Sequence, residues 1–215
     1  DVRTVIYHAN CVDGFTAAGA AWRKFGDTDT RYIAAKYEDA PPADLEGQHV
    51  YILDFSYPRA VMQELLKKDV TITLLDHHES AMKESGDLFP RWCFDMTRSG
   101  ARMAWEHFHP SIPVPQIVQY VEDRDLWKHQ LRNSKEVNAA IRIFARNFAA
   151  WDAAYLDMEN DTDPYAHSGM ALLRQIDLYC EKDAERAIEL VFLGHDAVFV
   201  TSTENYASEL GHLLL

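Results

Sequence analysis

Val70-Thr71-Ile72-Thr73-Leu74-Leu75-Asp76-His77-His78 is the stretch that decides how this chain folds and where its chemistry sits. Its first six residues are uncharged and rich in β-branched side chains and leucine, so they read as a buried strand. An aspartate and two histidines close it. Burying an unpaired carboxylate beside two imidazoles is costly unless something compensates it. A divalent metal is the usual compensator. The ordinary alternatives are a structural hydrogen-bonded cluster, or a His pair capping the helix that follows.

Outward from that strand, strand and helix signals alternate. Val2 to His8 reads as a first strand, followed by a turn at Asp13-Gly14 and an alanine-rich helix from about Phe15 to Lys24. Thr30 to Ala35 is a short strand, and Val50-Tyr51-Ile52-Leu53 is a buried one ending in Asp54. Ala60 to Lys68 has helical spacing behind Pro58, and Trp92 to Asp95 reads as another short strand. This alternation predicts an α/β fold: a three-layer α/β/α arrangement with a mostly parallel sheet and helices on both faces.

From Ser99 onward the chain reads as helical. Ser99 is placed to cap a helix through His107; further helices are expected over Val114 to Glu122, Val137 to Phe148 and Gly169 to Val191. A polar loop falls near Glu159 to Pro164. Ala197 to Thr201 restarts a strand and Ser208 to Leu215 a helix, which reads as the start of a second α/β domain. The expected division is a core over 1–130, a helical extension over 131–193, and the beginning of a further domain over 194–215. The apolar run Leu213-Leu214-Leu215 and the absence of an initiating Met lead us to expect a chain truncated from a longer one.

Composition narrows the class. The 215 residues are 47% hydrophobic and carry a formal charge of −13, as an ordinary globular domain with a real core would. No apolar run approaches the ~18 residues needed to span a bilayer, so no membrane role is expected. Cys11, Cys93 and Cys180 are odd in number and widely spaced, which points to a reducing, cytoplasmic setting rather than a disulfide framework. The acidity argues against wrapping duplex nucleic acid, which needs a basic footprint. It leaves room for a small phosphorylated partner, because ions held among carboxylates supply local positive potential. A homodimer is compatible with the sequence, which specifies no oligomeric state.

His8 ends the first predicted strand, Asp54 the third, and Asp76-His77-His78 the fourth. Ligands of parallel α/β sheets bind outside the carboxyl ends of the strands. Singly, His8, Asp13 and Asp54 have ordinary readings as a strand-end histidine, a helix cap and a turn former. Together at matching strand ends they read as a site. Mixed imidazole and carboxylate donors favour Mn, Zn, Fe or Co over the all-oxygen shells of Ca and Mg. Asp54, central in the set, is placed to bridge two ions, which would clamp a phosphoryl oxygen.

These residues resemble the motifs of the DHH phosphoesterase superfamily, which includes RecJ exonucleases, nano-RNases, cyclic-dinucleotide phosphodiesterases and family II pyrophosphatases. His8-Ala9-Asn10-Cys11-Val12-Asp13-Gly14 resembles its first motif, Ile52-Leu53-Asp54 its second, and Asp76-His77-His78 the third. Tyr120 to Trp127 resembles the fourth. Order and spacing agree over roughly Val2 to Trp127. The first motif departs from many relatives in having Asp13 as its only carboxylate.

The resemblance implies a DHH catalytic core and a hydrolase using a water activated by two metals, Mn2+ above Co, Fe, Zn or Mg. His8, Asp13 and Asp54 would hold one ion; Asp54, His77 and Asp123 the other, with Asp13 placed to reach both. Asp123 is preferred to Asp125 because it falls where the preceding helix is expected to end. Asp76 would orient a ligand, and His78 would meet the substrate phosphate and donate a proton. Arg98, Ser99, Arg124 and Lys128 are candidate phosphate contacts, although surface charge and a helix cap are the ordinary readings of each. The implied substrate is a short oligonucleotide or dinucleotide. The alternatives are a polyphosphatase or pyrophosphatase, and a non-catalytic nucleotide-binding module. In the family the C-terminal domain reads the substrate's distal end, and Gly194 through Leu215 resembles its start.

Overall fold

The computed structural model describes residues 2–143, 147–202 and 206–214. Strand β1 (Arg3–His8) leads into helix α1 (Val12–Phe25), β2 (Thr30–Ala35), β3 (His49–Leu53), α2 (Arg59–Leu66), β4 (Thr71–Leu75) and α3 (Glu79–Ser85). The four strands form one parallel sheet in the order β2-β1-β3-β4. Ile6 lies in register with Ile33 on one side and Ile52 on the other, and Ile52 with Leu74.

Strand side chains alternate between faces, and each face has its own core. Val5, Tyr51, Leu53 and Leu75 pack with the helices that include α1, α4 (Gly100–Phe108) and α5 (Gln116–Asp125). Ile6, Val50, Ile52 and Leu74 pack with Met62 and Leu65 of α2 and Ala81 of α3. In α1, Ala17, Ala18, Ala20 and Ala21 are fully buried, and such small side chains let α4 approach closely. The next helices, α6 (Ser134–Ile141) and α7 (Phe148–Asn160), add Val137, Ile141, Trp151 and Met158 to the first core. The chain continues through α8 (Asp163–Ala184), the antiparallel pair β5 (Ile188–Phe192) and β6 (His195–Phe199), and α9 (Ala207–Leu214). Among the described residues, no helix is long and apolar enough to cross a membrane.

Four local expectations change. Asp13 and Gly14 lie inside the first turn of α1, not in a turn before it, with Cys11 as the N-cap. Gly14 is needed for close approach: a Cβ there would stand 2.5 Å from the His8 carbonyl oxygen. Trp92 to Asp95 is not a strand; a 3-10 turn occupies Arg91–Cys93, and Phe94 makes a single parallel bridge to Asp76. The helix expected from Val137 to Phe148 is divided, with α6 ending at Ile141 and Asn147 capping α7 through the Ala150 N–H. Residues 144–146 and Leu215 lie outside the described residues. The helix expected from Gly169 to Val191 starts at Asp163, with Pro164 in its first turn, and stops at Ala184. Ile188–Phe192 is instead a strand, returned by a two-residue turn at Leu193 and Gly194. Both have positive φ, the geometry that matches strand twist.

Gly169 backs α8 onto α6, where a Cβ would fall 1.7 Å from the Glu136 carbonyl oxygen. Gly169→Ala should therefore cost about 2 kcal/mol or more in urea unfolding. Gly211→Ala, with open space around it, should be neutral or stabilising by a few tenths to about 1 kcal/mol. His109 donates its Nε2–H to the Ala20 carbonyl at 2.9 Å. Burial, aided by Lys24 and Arg23, holds its pKa below the ordinary histidine value against the pull of that carbonyl. The unfolded chain thus takes up the proton first, so His109 makes the fold lose stability as pH falls below about 6.5. In His109→Gln, urea midpoints should drop less between pH 7 and 5 than in the parent chain.

Candidate metal centre

Because β1 lies between β2 and β3, the strand order reverses direction there, and the crevice at the carboxyl ends of β1 and β3 is where parallel sheets place ligands. His8 is the last residue of β1, Asp54 follows β3, and Asp76-His77-His78 follow β4. Asp54 still donates its backbone N–H to Leu75 at 2.8 Å, then leaves the sheet with φ of 64°, a left-handed conformation that aspartate tolerates better than most residues. Its side chain abuts the start of α4. A Cβ at Gly100 would stand 2.6 Å from the Asp54 Cβ.

His77 Nε2 occupies the centre of this crevice. It lies 3.1 Å from Asp54 Oδ1, 3.4 Å from Asp125 Oδ2 and 3.7 Å from Asp13 Oδ2. His8 Nδ1 approaches Asp54 Oδ2 at 3.6 Å. None of these contacts on Asp54 has the alignment of a hydrogen bond, so both its oxygens and His8 Nδ1 are buried without a hydrogen-bond partner. Buried polar atoms of native proteins are nearly always satisfied. A buried carboxylate met by two imidazoles, neither of them in hydrogen-bond geometry, offers its lone pairs to a cation.

The electrostatics agree. Burial alone would lower the His77 pKa, but Asp54 and then Asp125 outweigh it and hold the imidazole above its ordinary value. Burial and the Asp54 charge push Asp13 well above the usual carboxylate range, and the same two causes raise Asp125. Asp54 goes the other way: burial is outweighed by His77, His8 and Asp13, which keep it ionised. The crevice holds more negative potential than its carboxylates can carry together, and a cation relieves that.

Asp13 is anchored from the far side. Its Oδ2 accepts from Gly100 N–H at 2.7 Å and its Oδ1 from Ala101 N–H at 3.0 Å, so it caps the start of α4. Asp76 is fully buried. Its Oδ1 accepts from the backbone N–H of His77 and His78 and from His78 Nδ1 at 2.7 Å, and its Oδ2 from the Ser56 hydroxyl. That bond fixes the His78 tautomer, raises its pKa and leaves Nε2 as the nitrogen for other chemistry. His78 is the more open of the two histidines, with 33% of its side chain exposed against 11% for His77.

Of the remaining sequence candidates, Asp123 is not brought to the crevice, and this is a correction. Its two oxygens accept from the backbone N–H groups of Gln130 and Leu131, and its carbonyl from Lys128 and His129. Helix α5 runs on to Asp125. Two residues turn a helix by about 200°, so Asp123 and Asp125 face opposite ways, and Asp125 is the one beside His77. Ser99 is fully enclosed: its hydroxyl caps α4 by accepting from Arg102 N–H, and its own N–H donates to Glu122. Arg98 pairs with Asp95 and Glu106, Arg124 with Glu209, and Lys128 with Glu122.

Among the described residues three donor groupings emerge, each with ligand atoms within 4.8 Å of one another: His8, Cys11 and Asp54; Asp54, His77 and His78; and Asp13, His77 and Asp125. The residues present therefore fit a divalent metal. Asp13 joins His77 and Asp125, the second of the two positions that the motif resemblance allowed it. Cys11 was missed, because a lone cysteine carries no spacing signal; burial and the charges of Asp54 and Asp13 hold its thiol well above the ordinary pKa. The crevice opens into a cleft of about 670 Å³ lined by His8, Cys11, Arg124, Asp125 and Arg142.

No family model matches the chain. It is 27% identical over 236 residues to uncharacterized protein R106 of Acanthamoeba polyphaga mimivirus, covering 100% of this chain and 55% of that protein. The chain thus spans about half the length of that relative. Among solved structures, an uncharacterized protein from Helicobacter pylori G27 aligns with a TM-score of 0.46 at 15% identity, over 100% of this chain and 79% of that one. The exonuclease RecJ bound to manganese aligns with a TM-score of 0.45 at 13% identity, over 86% and 64% respectively. The chemistry must come from the crevice itself.

Asp125→Asn should weaken Mn2+ binding at least about tenfold by calorimetric titration. Asp123→Ala should leave that binding intact and cost about 1–3 kcal/mol of stability, because two backbone N–H groups lose their acceptor. The reverse pattern would return the ligand role to Asp123.

Proposed function

We propose that this chain is a metal-dependent phosphohydrolase, a phosphodiesterase acting on short oligonucleotides or dinucleotides with two divalent ions, Mn2+ first among them. The observation that carries the reading is Asp54. It is buried, both its oxygens lack a hydrogen-bond partner, and it stands in two donor groupings at once. Two ions, when bound, supply charge to phosphoryl oxygens and lower the pKa of a water enough for attack near neutral pH.

The side chains divide the remaining work. Asp13 is held by the start of α4 and Asp125 by the end of α5, so the walls facing His77 are rigid. Asp76 locks the ring of His78 and raises its pKa, which favours a proton on Nε2 whenever that nitrogen is not holding an ion. Placed at the crevice mouth, that proton can bond a phosphoryl oxygen and pass to the leaving oxygen. A cleft of about 670 Å³ is of the size that takes a small ligand, which favours a dinucleotide-sized substrate over a duplex.

The test is hydrolysis of 5′-phosphorylated dinucleotides, cyclic dinucleotides, pyrophosphate and polyphosphate with Mn2+. Mononucleotide release from the dinucleotides is expected. Orthophosphate from polyphosphate alone would instead support phosphoanhydride hydrolysis, and bound Mn2+ with no turnover a non-catalytic nucleotide-binding module. Asp54→Asn, which keeps a residue that tolerates the left-handed backbone, should lower turnover at least about 100-fold with an unchanged circular dichroism spectrum.

A further inference from the structure

Cys11 stands apart from the other two cysteines. Cys93 and Cys180 sit in apolar clusters as ordinary buried thiols. Cys11 is the N-cap of α1, lines the cleft, and has its sulfur within 4.8 Å of a His8 ring nitrogen and an Asp54 oxygen. Both Asp54 oxygens and His8 Nδ1 are left without hydrogen bonds, and Asp54 is only 1% exposed. The His8 ring is held in place by Phe55, stacked at 6.1 Å, and by the edge of Tyr37 at 5.1 Å. Its Nδ1 lies 3.6 Å from Asp54 Oδ2, close to the roughly 3.4 Å that separates nitrogen and oxygen donors on a tetrahedral ion.

We propose that Cys11 is a metal ligand, completing with His8 and Asp54 a nitrogen, sulfur and oxygen site that makes one of the two ion positions thiophilic. This rests on the two-ion reading above and adds an asymmetry to it. Thiolate donors select Zn2+, Co2+ or Fe2+ over Mn2+ and Mg2+. The position beside His77, Asp13 and Asp125 has no sulfur, and its oxygen-rich set suits Mn2+ or Mg2+. On binding, the sulfur–hydrogen bond breaks, a sulfur–metal bond forms, and the proton leaves to solvent; nothing is oxidised or reduced.

Cobalt titration of the whole chain tests this, because sulfur ligation has its own optical signature. Added Co2+ should produce visible d–d bands together with a near-ultraviolet sulfur-to-cobalt charge-transfer band. Cys11→Ser should keep the d–d bands, lose the charge-transfer band, and weaken Zn2+ binding at least about tenfold while Mn2+ binding changes little. Cys11→Asp should bind Mn2+ at both positions, which shows that the altered chain still folds around a site. Cys93→Ser and Cys180→Ser should retain the charge-transfer band. Co2+ bound with d–d bands but no charge-transfer band, or a band that survives Cys11→Ser, overturns the assignment and leaves the two-ion reading standing. A chain that binds no Co2+, Zn2+ or Mn2+ overturns both.

Discussion

Two buried carboxylates and a third partly buried one, held around one imidazole nitrogen, set the terms for this structure. Asp13, Asp54 and Asp125 all lie within 3.7 Å of His77 Nε2, and carboxylates gathered so closely resist being ionised together. Such an arrangement persists only if each carboxylate is restrained separately. Asp13 is restrained by two N–H groups of α4, more than eighty residues away in sequence. Asp54 is restrained by a left-handed backbone that remains bonded to β4. Asp125 is restrained by the helix that carries it. His77 stands among them, with Asp54 and Asp125 holding its pKa above the ordinary value.

Those restraints also explain features that look unrelated to chemistry. The alanine face of α1 brings α4 close enough for its first amides to reach Asp13. Asp123 ties the end of α5 to the chain that follows, which fixes where Asp125 stands. Asp76, buried between β4 and the bridge to Phe94, gathers two backbone amides and a ring nitrogen into one fixed unit. The crevice is thus a product of the packing on both faces of the sheet.

Much of this was legible in the sequence, for physical reasons. Buried parallel strands are continuous apolar runs, so β1, β3 and β4 announce themselves, and the polar residue ending each must sit at the carboxyl edge. Ser99 was readable as a cap by residue type and place. The choice between Asp123 and Asp125 was not, because it turns on the phase of a helix whose end moved by three residues from Glu122 to Asp125. Nor was Cys11, whose role depends on neighbours that only the fold assembles. The strand at Ile188–Phe192 was hidden by length, since five apolar-rich residues fit either period. Gly194, in the turn beyond it, was the available clue.

The close approach of Gly100 to Asp54 limits what can open α4. A carboxylate can occupy that crevice only if the residue opening α4 brings no Cβ. The glycine is therefore as much a condition of this crevice as the aspartate is. A larger residue at that one position, forty-six beyond the aspartate, would have to shift α4 or push the Asp54 side chain out of the crevice.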